Sequence, residues 1–197
     1  MECGRAEEIC IVGDWQIFYN QIHKLKVMED RWMQWIDGSD IDINQYTGET
    51  LCEKLSLDMW DCCKVEQWSR WADFIQVAYF IIAFDTELTM EGIFTFLENS
   101  IGHYAPQIIR AFRAITDDND ADILEEICSL CPPDIMRSKF LENSHQEYEI
   151  NCFNENHELK KEIIERITEL ERNLYLNTDF DMWSLLFDFV DKKIAAL

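Results

Sequence analysis

The stretch DTELTMEGIFTFLENSIGHYAPQIIRAFRAI, residues 85–115, decides the fold of this chain. Its apolar residues recur every three or four positions, which predicts two amphipathic helices that face a common core. The two stripes are Met90, Ile93, Phe94, Leu97, Ile101 and then Ile108, Ile109, Phe112, Ile115. Gly102 predicts the end of the first helix, and Pro106 fits the first turn of the second. The stretch therefore predicts scaffold and contains no obvious catalytic group.

Helical periodicity extends over most of the remaining chain. It predicts further helices over 14–36, 51–64, 65–84, 117–131, 157–176 and a final helix that starts at a capping box formed by Thr178 and Asp181. Residues 37–50 are rich in Gly, Asp, Ser and Asn and predict a loop. No convincing strand pattern is present. We expect an all-α bundle of about eight helices, one globular domain over 66–197 with an N-terminal helical extension over 1–65.

Composition bounds the class of protein. Of 197 residues, 48% are hydrophobic, enough for a sizeable core, and only six are glycine and three proline. The first residues, MECGRAEEIC, lack the basic and apolar regions of a signal peptide, and the run VAYFIIAF (77–84) is too short to span a membrane. The eight cysteines are therefore interpreted as reduced thiols in a cytoplasmic protein that does not bind a membrane.

Catalytic and metal-binding patterns are weak in this sequence. Cys128 and Cys131 form a lone C-x-x-C, and the vicinal Cys62 and Cys63 cannot easily point at one ion together. Histidines 23, 103, 145 and 157 are scattered without an H-E-x-x-H motif. We predict neither an enzyme nor a metal or cofactor site. The alternative, chemistry at His103 or at the cysteines, would be favoured by stoichiometric zinc in the purified protein.

Charge is the extreme property of the chain. It has 39 acidic and 17 basic residues, a formal net charge of −22. Residues 71–135 hold 12 acids and only 2 bases. Such a charge excludes direct binding to nucleic acid or to an anionic membrane as the main activity. Two interpretations remain, acidity that serves solubility and a surface that binds a basic partner.

The densest acidic run is residues 117–126, where six acids occupy ten positions without one base. Asp118, Asp122 and Glu125 share one helix face, although like charges at this spacing cost a few tenths of a kcal/mol each. A solvated helix start is one interpretation, because the helix dipole favours acids there. A calcium loop is another, but the EF-hand spacing is absent. A partner-binding surface is the third.

The amount of charge suits imitation of DNA. Duplex DNA carries about one charge per 1.7 Å of helix axis. A net charge of −22 therefore corresponds to roughly 37 Å of duplex, on the order of one helical turn of operator contact.

Residues 85–115 resemble the bacterial acidic DNA-mimic protein nineteen family, whose members carry a segment close to D-x-E-V-x-N-G-G-F-x-Q-F-F-x-N-S-x-G-x-Y-A. The matching residues are Asp85, Glu87, Gly92, Phe94, Phe96, Asn99, Ser100, Gly102, Tyr104 and Ala105. A second block, ITELERNLYLNTDFDMWSLLFDFV (167–190), is similar to the family's closing segment. The chain departs from the family at Met90, Glu91 and Thr95. The resemblance covers about residues 66–197.

The resemblance implies an all-α homodimer whose acidic face can occupy the DNA site of a DNA-binding protein. Together with the charge, it predicts a non-enzymatic double-stranded DNA mimic whose partner is a basic DNA-binding protein such as a transcription regulator. The candidate binding residues are Asp117, Asp118, Asp120, Asp122, Glu125 and Glu126, with Glu91 and Glu98 as neighbours. An inhibitor or immunity-type protein that neutralises another basic target is the alternative.

Overall fold

The fold is given by a computed structural model, which describes residues 31–62, 65–131 and 161–197. Within these ranges the helices are α1 (Gly48–Cys62), α2 (Asp73–Glu98), α3 (Ala105–Ala114), α4 (Asp118–Leu130), α5 (Lys161–Glu171) and α6 (Met182–Ala196). Short 3-10 helices occur at Ile43–Gln45, Val65–Arg70, Ser100–Tyr104 and Tyr175–Asn177. The all-α prediction is confirmed. The prediction of about eight helices is not, since the described residues form six α-helices.

Helix α2 lies at the centre of the bundle because its first half is apolar on every side. Every residue from Ala78 to Phe84 is buried, as expected of a helix that packs against neighbours all round. It contacts α1, α3 and α6. The ring of Phe84 meets the rings of Phe96 and Phe112 edge-on, with centroid distances of 4.8 and 5.5 Å. These aromatic contacts connect both halves of α2 to α3.

Helix α2 is kinked at Gly92, where the sequence predicts a separate helix from residue 89. Gly92 has φ +81° and ψ 179°, a region open essentially to glycine alone. The kink starts a new helical segment, and its Ile93 N–H donates to Glu171 Oε1 at 2.8 Å. Ile93 is buried, whereas Met90 before the kink is 74% exposed. Met90 is therefore wrongly placed in the predicted apolar stripe.

The turn from α2 to α3 is too tight for a side chain at Gly102. A Cβ atom there would lie 2.3 Å from the carbonyl oxygen of Phe96. Gly102 is buried within the 3-10 helix that follows α2, and Pro106 occupies the first turn of α3. The predicted order of helix, glycine turn and proline-started helix is confirmed.

A small hairpin replaces the predicted end of the first helix and the start of the loop. Strands β1 (Trp32–Gln34) and β2 (Asp40–Asp42) pair antiparallel. Gly38 has φ +90° in their connection, and the Trp35 N–H closes the turn by donating to the Ser39 carbonyl at 2.7 Å. The prediction of helix up to residue 36 and of no strands is therefore wrong. Residues 14–30 of that predicted helix lie outside the described residues.

The hairpin and α1 share one hydrophobic core with the later helices. Trp35 is 2% exposed, and its indole N–H donates to Asp58 Oδ2 of α1 at 2.6 Å. Ile43, Leu51 and Leu55 belong to the same buried cluster as the centre of α2. The predicted division of the chain at residue 65 stays a prediction.

Helix α6 closes the bundle against α1 and α2. Its N-cap is Asp181, whose carboxylate accepts from the Ser184 N–H at 3.0 Å. The prediction of Thr178 as the cap is wrong, because its hydroxyl donates to the Tyr175 carbonyl at 3.1 Å. The sequence predicts that six apolar residues of α6 pack inward. Met182, Leu186, Val190 and Ile194 are buried, and Leu185 and Phe189 are partly buried against the core.

Candidate partner-binding surface

The first turn of α4 is anchored by two carboxyl groups that point into the protein. Asp117 is the N-cap and accepts from the Asp120 N–H at 3.2 Å. Asp120 accepts from the Tyr175 N–H at 3.1 and 3.3 Å. Asp117 is 2% exposed and Asp120 is 0% exposed. The sequence predicts both as partner contacts, which is corrected here, because a partner cannot reach carboxyl groups that are buried in the core.

Burial also changes the ionisation of two carboxyl groups, those of Asp120 and of the half-buried Asp85. Burial raises the pKa of Asp120 well above its usual range, and the neighbouring Asp117 raises it further. Burial raises the pKa of Asp85 too, although the Tyr175 hydroxyl opposes this by donating to Asp85 Oδ1 at 2.7 Å. The fold therefore favours the protonated forms of Asp120 and Asp85, and Asp120 serves the packing of α4 against Tyr175.

The outer face of α4 brings three acids together around one arginine. Arg113, near the end of α3, places its Nη2 atom 2.8 Å from Asp122 Oδ1 and 2.7 Å from Glu125 Oε2. Its Nη1 atom lies 3.6 Å from Asp118 Oδ1. The acid side chains are 64 to 75% exposed. Three carboxylates against one guanidinium leave two negative charges at the surface.

The shared arginine fixes how close two of these carboxylates lie. Because Asp122 and Glu125 contact the same nitrogen, their contacting oxygens can be no farther apart than 5.5 Å, the sum of the two distances. Surface ion pairs of this kind contribute little stability, about 0–1 kcal/mol each. Their structural effect is to hold mobile acidic side chains in one place.

A second acidic group continues the surface from α4 to α5. Arg166 contacts Glu126 Oε1 at 2.7 Å and Glu169 Oε2 at 2.9 Å. Two carboxylates against one guanidinium leave one further negative charge. We call this set of side chains, together with the exposed Glu165 of α5, the α4 acidic surface. Its two bases are Arg113 and Arg166, and its six acids are Asp118, Asp122, Glu125, Glu126, Glu165 and Glu169.

The residues that carry the family resemblance form the support behind this surface. Gly92 makes the kink of α2, and Gly102 makes the tight turn before α3. The Asn99 amide donates to Glu87 Oε2. Asp85 accepts from Tyr175, the same residue whose backbone binds Asp120. The matching segment is therefore scaffold, as the sequence predicts.

In a comparison with family models, the model described as DMP19-like protein matches residues 69–193. The matched range contains the resembling segment and the acids of α4. The chain belongs to the DMP19-like protein family. The match contains α2 to α5 and most of α6, so the resemblance read from the sequence is confirmed. No curated protein and no solved structure matched the chain. The DMP19-like family is not a known enzyme family.

Two predicted residues of this DMP19-like protein lie on another helix. Glu91 is exposed one residue before the kink of α2, and Glu98 is half-buried at the last residue of α2. The structure thus gathers Asp118, Asp122 and Glu125 around one arginine, with Glu126 beside them on α4. Glu91 and Glu98 contribute charge from α2.

Sequence reasoning missed the bases that organise the α4 acidic surface. Arg113 is one of only two bases in residues 71–135 and lies just before the acidic run. The turn after α3 folds it onto α4, and Thr116 in that turn has a positive φ of 68°. Arg166 and Glu169 come from a helix 40 residues farther along the chain, so no local pattern predicts them.

The alternative sites proposed from the sequence find no support in the part of the DMP19-like chain that the structure describes. No group of three His, Cys, Asp or Glu side chains there could hold a metal ion. Burial raises the pKa of Cys128 to about 12, so this thiol of the C-x-x-C is a poor nucleophile. His23, Cys63, His145 and His157 lie outside the described residues, as does the side chain of Cys62. No helix in the described ranges is long and apolar enough to cross a membrane.

Proposed function

We propose that this protein binds a basic DNA-binding protein, such as a transcription regulator, by presenting the α4 acidic surface in place of duplex DNA. The observation that carries the proposal is the convergence of Asp118, Asp122 and Glu125 on Arg113, which leaves excess negative charge in a fixed arrangement. Membership of the DMP19-like family supports it.

Two of the carboxylates lie closer together than neighbouring phosphates of DNA. Adjacent phosphates of one DNA strand lie about 6–7 Å apart, from a rise of roughly 3.4 Å combined with the helical twist. The contacting oxygens of Asp122 and Glu125 are separated by no more than the sum of their 2.8 and 2.7 Å distances to Arg113. The pair therefore offers a lysine or arginine of the partner two acceptors at a shorter spacing than two phosphates do, and the likeness to DNA rests on the density of negative charge.

Arg113 and Arg166 prepare the surface for binding. They keep the acidic side chains ordered before a partner arrives, which lowers the entropy that binding must remove. Because their ion pairs are exposed and weak, the partner's bases can share the same carboxylates. Attraction between such exposed charges is screened over about 8 Å at physiological ionic strength, so binding should weaken steeply with salt.

The test is capture of proteins from native lysate at low salt on the immobilised full chain, followed by elution with duplex DNA. We expect DNA to displace the retained basic protein. The triple variant Asp118→Asn, Asp122→Asn, Glu125→Gln should retain much less of it. A matched control, Glu49→Gln, Asp179→Asn, Asp188→Asn, removes three exposed charges outside α4 and should bind nearly as the unmodified protein does.

The possible outcomes separate DNA mimicry from other roles of the acidity. A retained protein that salt elutes but DNA does not would contradict DNA mimicry and favour the inhibitor alternative. Equal losses in the triple variant and in its control would mean that net charge alone, rather than the α4 acidic surface, attracts the partner.

The same proposal includes a homodimer, which the family resemblance implies. Two copies would present the α4 acidic surface twice, as a two-fold symmetric operator presents two half-sites to a dimeric regulator. Sedimentation equilibrium of the purified full chain tests this. A mass of one chain at concentrations that saturate the partner would contradict it.

A further inference from the structure

A small cavity lies between α1 and the turn that joins α2 to α3, away from the acids of α4. Its volume is about 100 Å³, roughly the liquid volume of three water molecules. Trp60 of α1, Tyr79 and Glu87 of α2, and Tyr104 after the turn are among the side chains that line it. Three aromatic rings and one carboxylate therefore surround the same small space.

The carboxylate of this cavity is held in position. Glu87 is half-buried, and its Oε2 atom accepts a hydrogen bond from the side-chain amide of Asn99. The donor is neutral, and among the described residues no ion pair balances the negative charge of Glu87, in contrast to the acids that Arg113 and Arg166 bind. A positive group that entered the cavity would meet this charge directly.

The rim of the cavity carries unusual apolar exposure. Trp60 lines the cavity and is nevertheless 61% exposed, and Leu57, three residues earlier on the same face of α1, is 67% exposed. Tryptophan at a surface is typical of residues that anchor a protein interface. Tyr79 lines the cavity and is only 6% exposed. The cavity therefore has a solvent-exposed side at Trp60 and a side at Tyr79 that is packed in the core.

We propose that this cavity receives a lysine or arginine side chain of a basic partner protein. An ammonium or guanidinium group is attracted to the faces of aromatic rings and bonds strongly to a carboxylate. The volume accepts such a head group but not a nucleotide. The net charge of −22 attracts basic proteins toward this site. The source of the cation rests on the proposed function, whereas the cation-binding chemistry of the cavity does not.

The experiment uses the full chain labelled with ¹⁵N and follows the indole N–H signals of its tryptophans by NMR. The probe is N-acetyl-arginine amide, and the neutral control is N-acetyl-citrulline amide, which has nearly the same shape. We expect a saturable shift of the Trp60 signal with the arginine probe, and at most a much weaker one with the citrulline probe. The Trp60→Phe variant identifies the signal.

Two variants removing one charge each make the test specific. Glu87→Gln keeps an oxygen that can accept from Asn99 and should weaken binding of the arginine probe about tenfold, as loss of a charged hydrogen-bond partner does. Glu91→Gln lies one helical turn farther on α2, and should change the affinity less than about twofold, the effect of a screened charge. Thermal unfolding of both variants confirms that they are folded.

Equal effects of Glu87→Gln and Glu91→Gln, or equal binding of the citrulline probe, would overturn the proposal. A Trp60→Ala variant, which alters only an exposed side chain, provides a second route, because it should abolish probe binding while a Trp32→Ala variant should not. If the arginine probe binds but no partner is displaced by DNA, the cavity stands and DNA mimicry fails. If a partner is displaced by DNA but the probe does not bind, the cavity proposal alone fails.

Discussion

The buried carboxyl of Asp120 predicts an unusual dependence of stability on pH. Burial and the neighbouring Asp117 raise the pKa of Asp120 to about 8, whereas an aspartate in the unfolded chain ionises near 3.9. Between these two values the folded protein holds a proton that the unfolded chain releases. The folded state then binds more protons than the unfolded state, so this group makes stability fall as pH rises from about 4 to 8.

The size of the effect follows from the same two values. Each pH unit within that window costs about 1.4 kcal/mol for one proton, or roughly 2.7 kcal/mol between pH 5 and pH 7. The substitution Asp120→Asn removes the ionisation and keeps an oxygen for the Tyr175 N–H. We expect the variant to match the unmodified protein near pH 4. At pH 7 it should be more stable by about 1–3 kcal/mol.

The assay is urea unfolding followed by tryptophan fluorescence at pH 5, 6 and 7. The difference between variant and unmodified protein at each pH isolates Asp120 from the other carboxyls. Asp122→Asn on the exposed face of α4 is the control, and its difference should stay within about 0.5 kcal/mol at every pH. A difference for Asp120→Asn that does not grow between pH 5 and pH 7 would show that Asp120 is already ionised in the folded protein.

Three further predictions concern the scaffold and the surface arginine. Gly92→Ala should cost about 1–3 kcal/mol in urea unfolding, because alanine is strained at a φ of +81°. Glu171→Ala should cost about 1–3 kcal/mol by leaving the Ile93 N–H without its acceptor, and Glu171→Gln should restore most of it. Arg113→Ala should change the free energy of unfolding by less than about 1 kcal/mol, because the ion pairs of Arg113 to three acids are exposed.

The helices were predictable wherever the apolar spacing was long and regular. Residues 74–84 and the inner face of α6 follow their sequence patterns closely. The hairpin was not predictable, because each strand has three residues, too few for an alternating pattern to stand out. Met90 was misplaced since the kink at Gly92 changes which residues share a face, and that depends on Glu171 from a distant helix.

The buried acids could have been recognised from the sequence, although their count alone misled. Asp120, Leu124 and Ile127 recur at spacings of four and three, so Asp120 lies on the apolar face of α4. Asp118, Asp122 and Glu125 recur in the same way on the opposite face. Apolar residues share the face of Asp120, which indicates that this acid is buried, whereas the face of Asp118, Asp122 and Glu125 has only acids at these positions. The contact of Arg113 with Asp118, Asp122 and Glu125 could not be predicted from the sequence, because Arg113 is separated from α4 by a turn whose geometry only the structure gives.

The outer stripe of α4 costs local stability, and the fold does not remove that cost. Like charges at Asp118 and Asp122 repel by a few tenths of a kcal/mol in an exposed helix. Arg113 offsets part of this, but one positive charge cannot balance three negative charges. Of these three acids, Asp118 alone lies in the first helical turn, where the dipole favours acids, whereas Asp122 and Glu125 lie beyond it. A cluster of like charges lowers the stability of the helix, and solubility does not require the charges to lie together. Such locally unfavourable features are expected at functional sites. The demands of the helix itself therefore do not account for the position of Asp122 and Glu125, and this position supports the proposed binding of a basic partner.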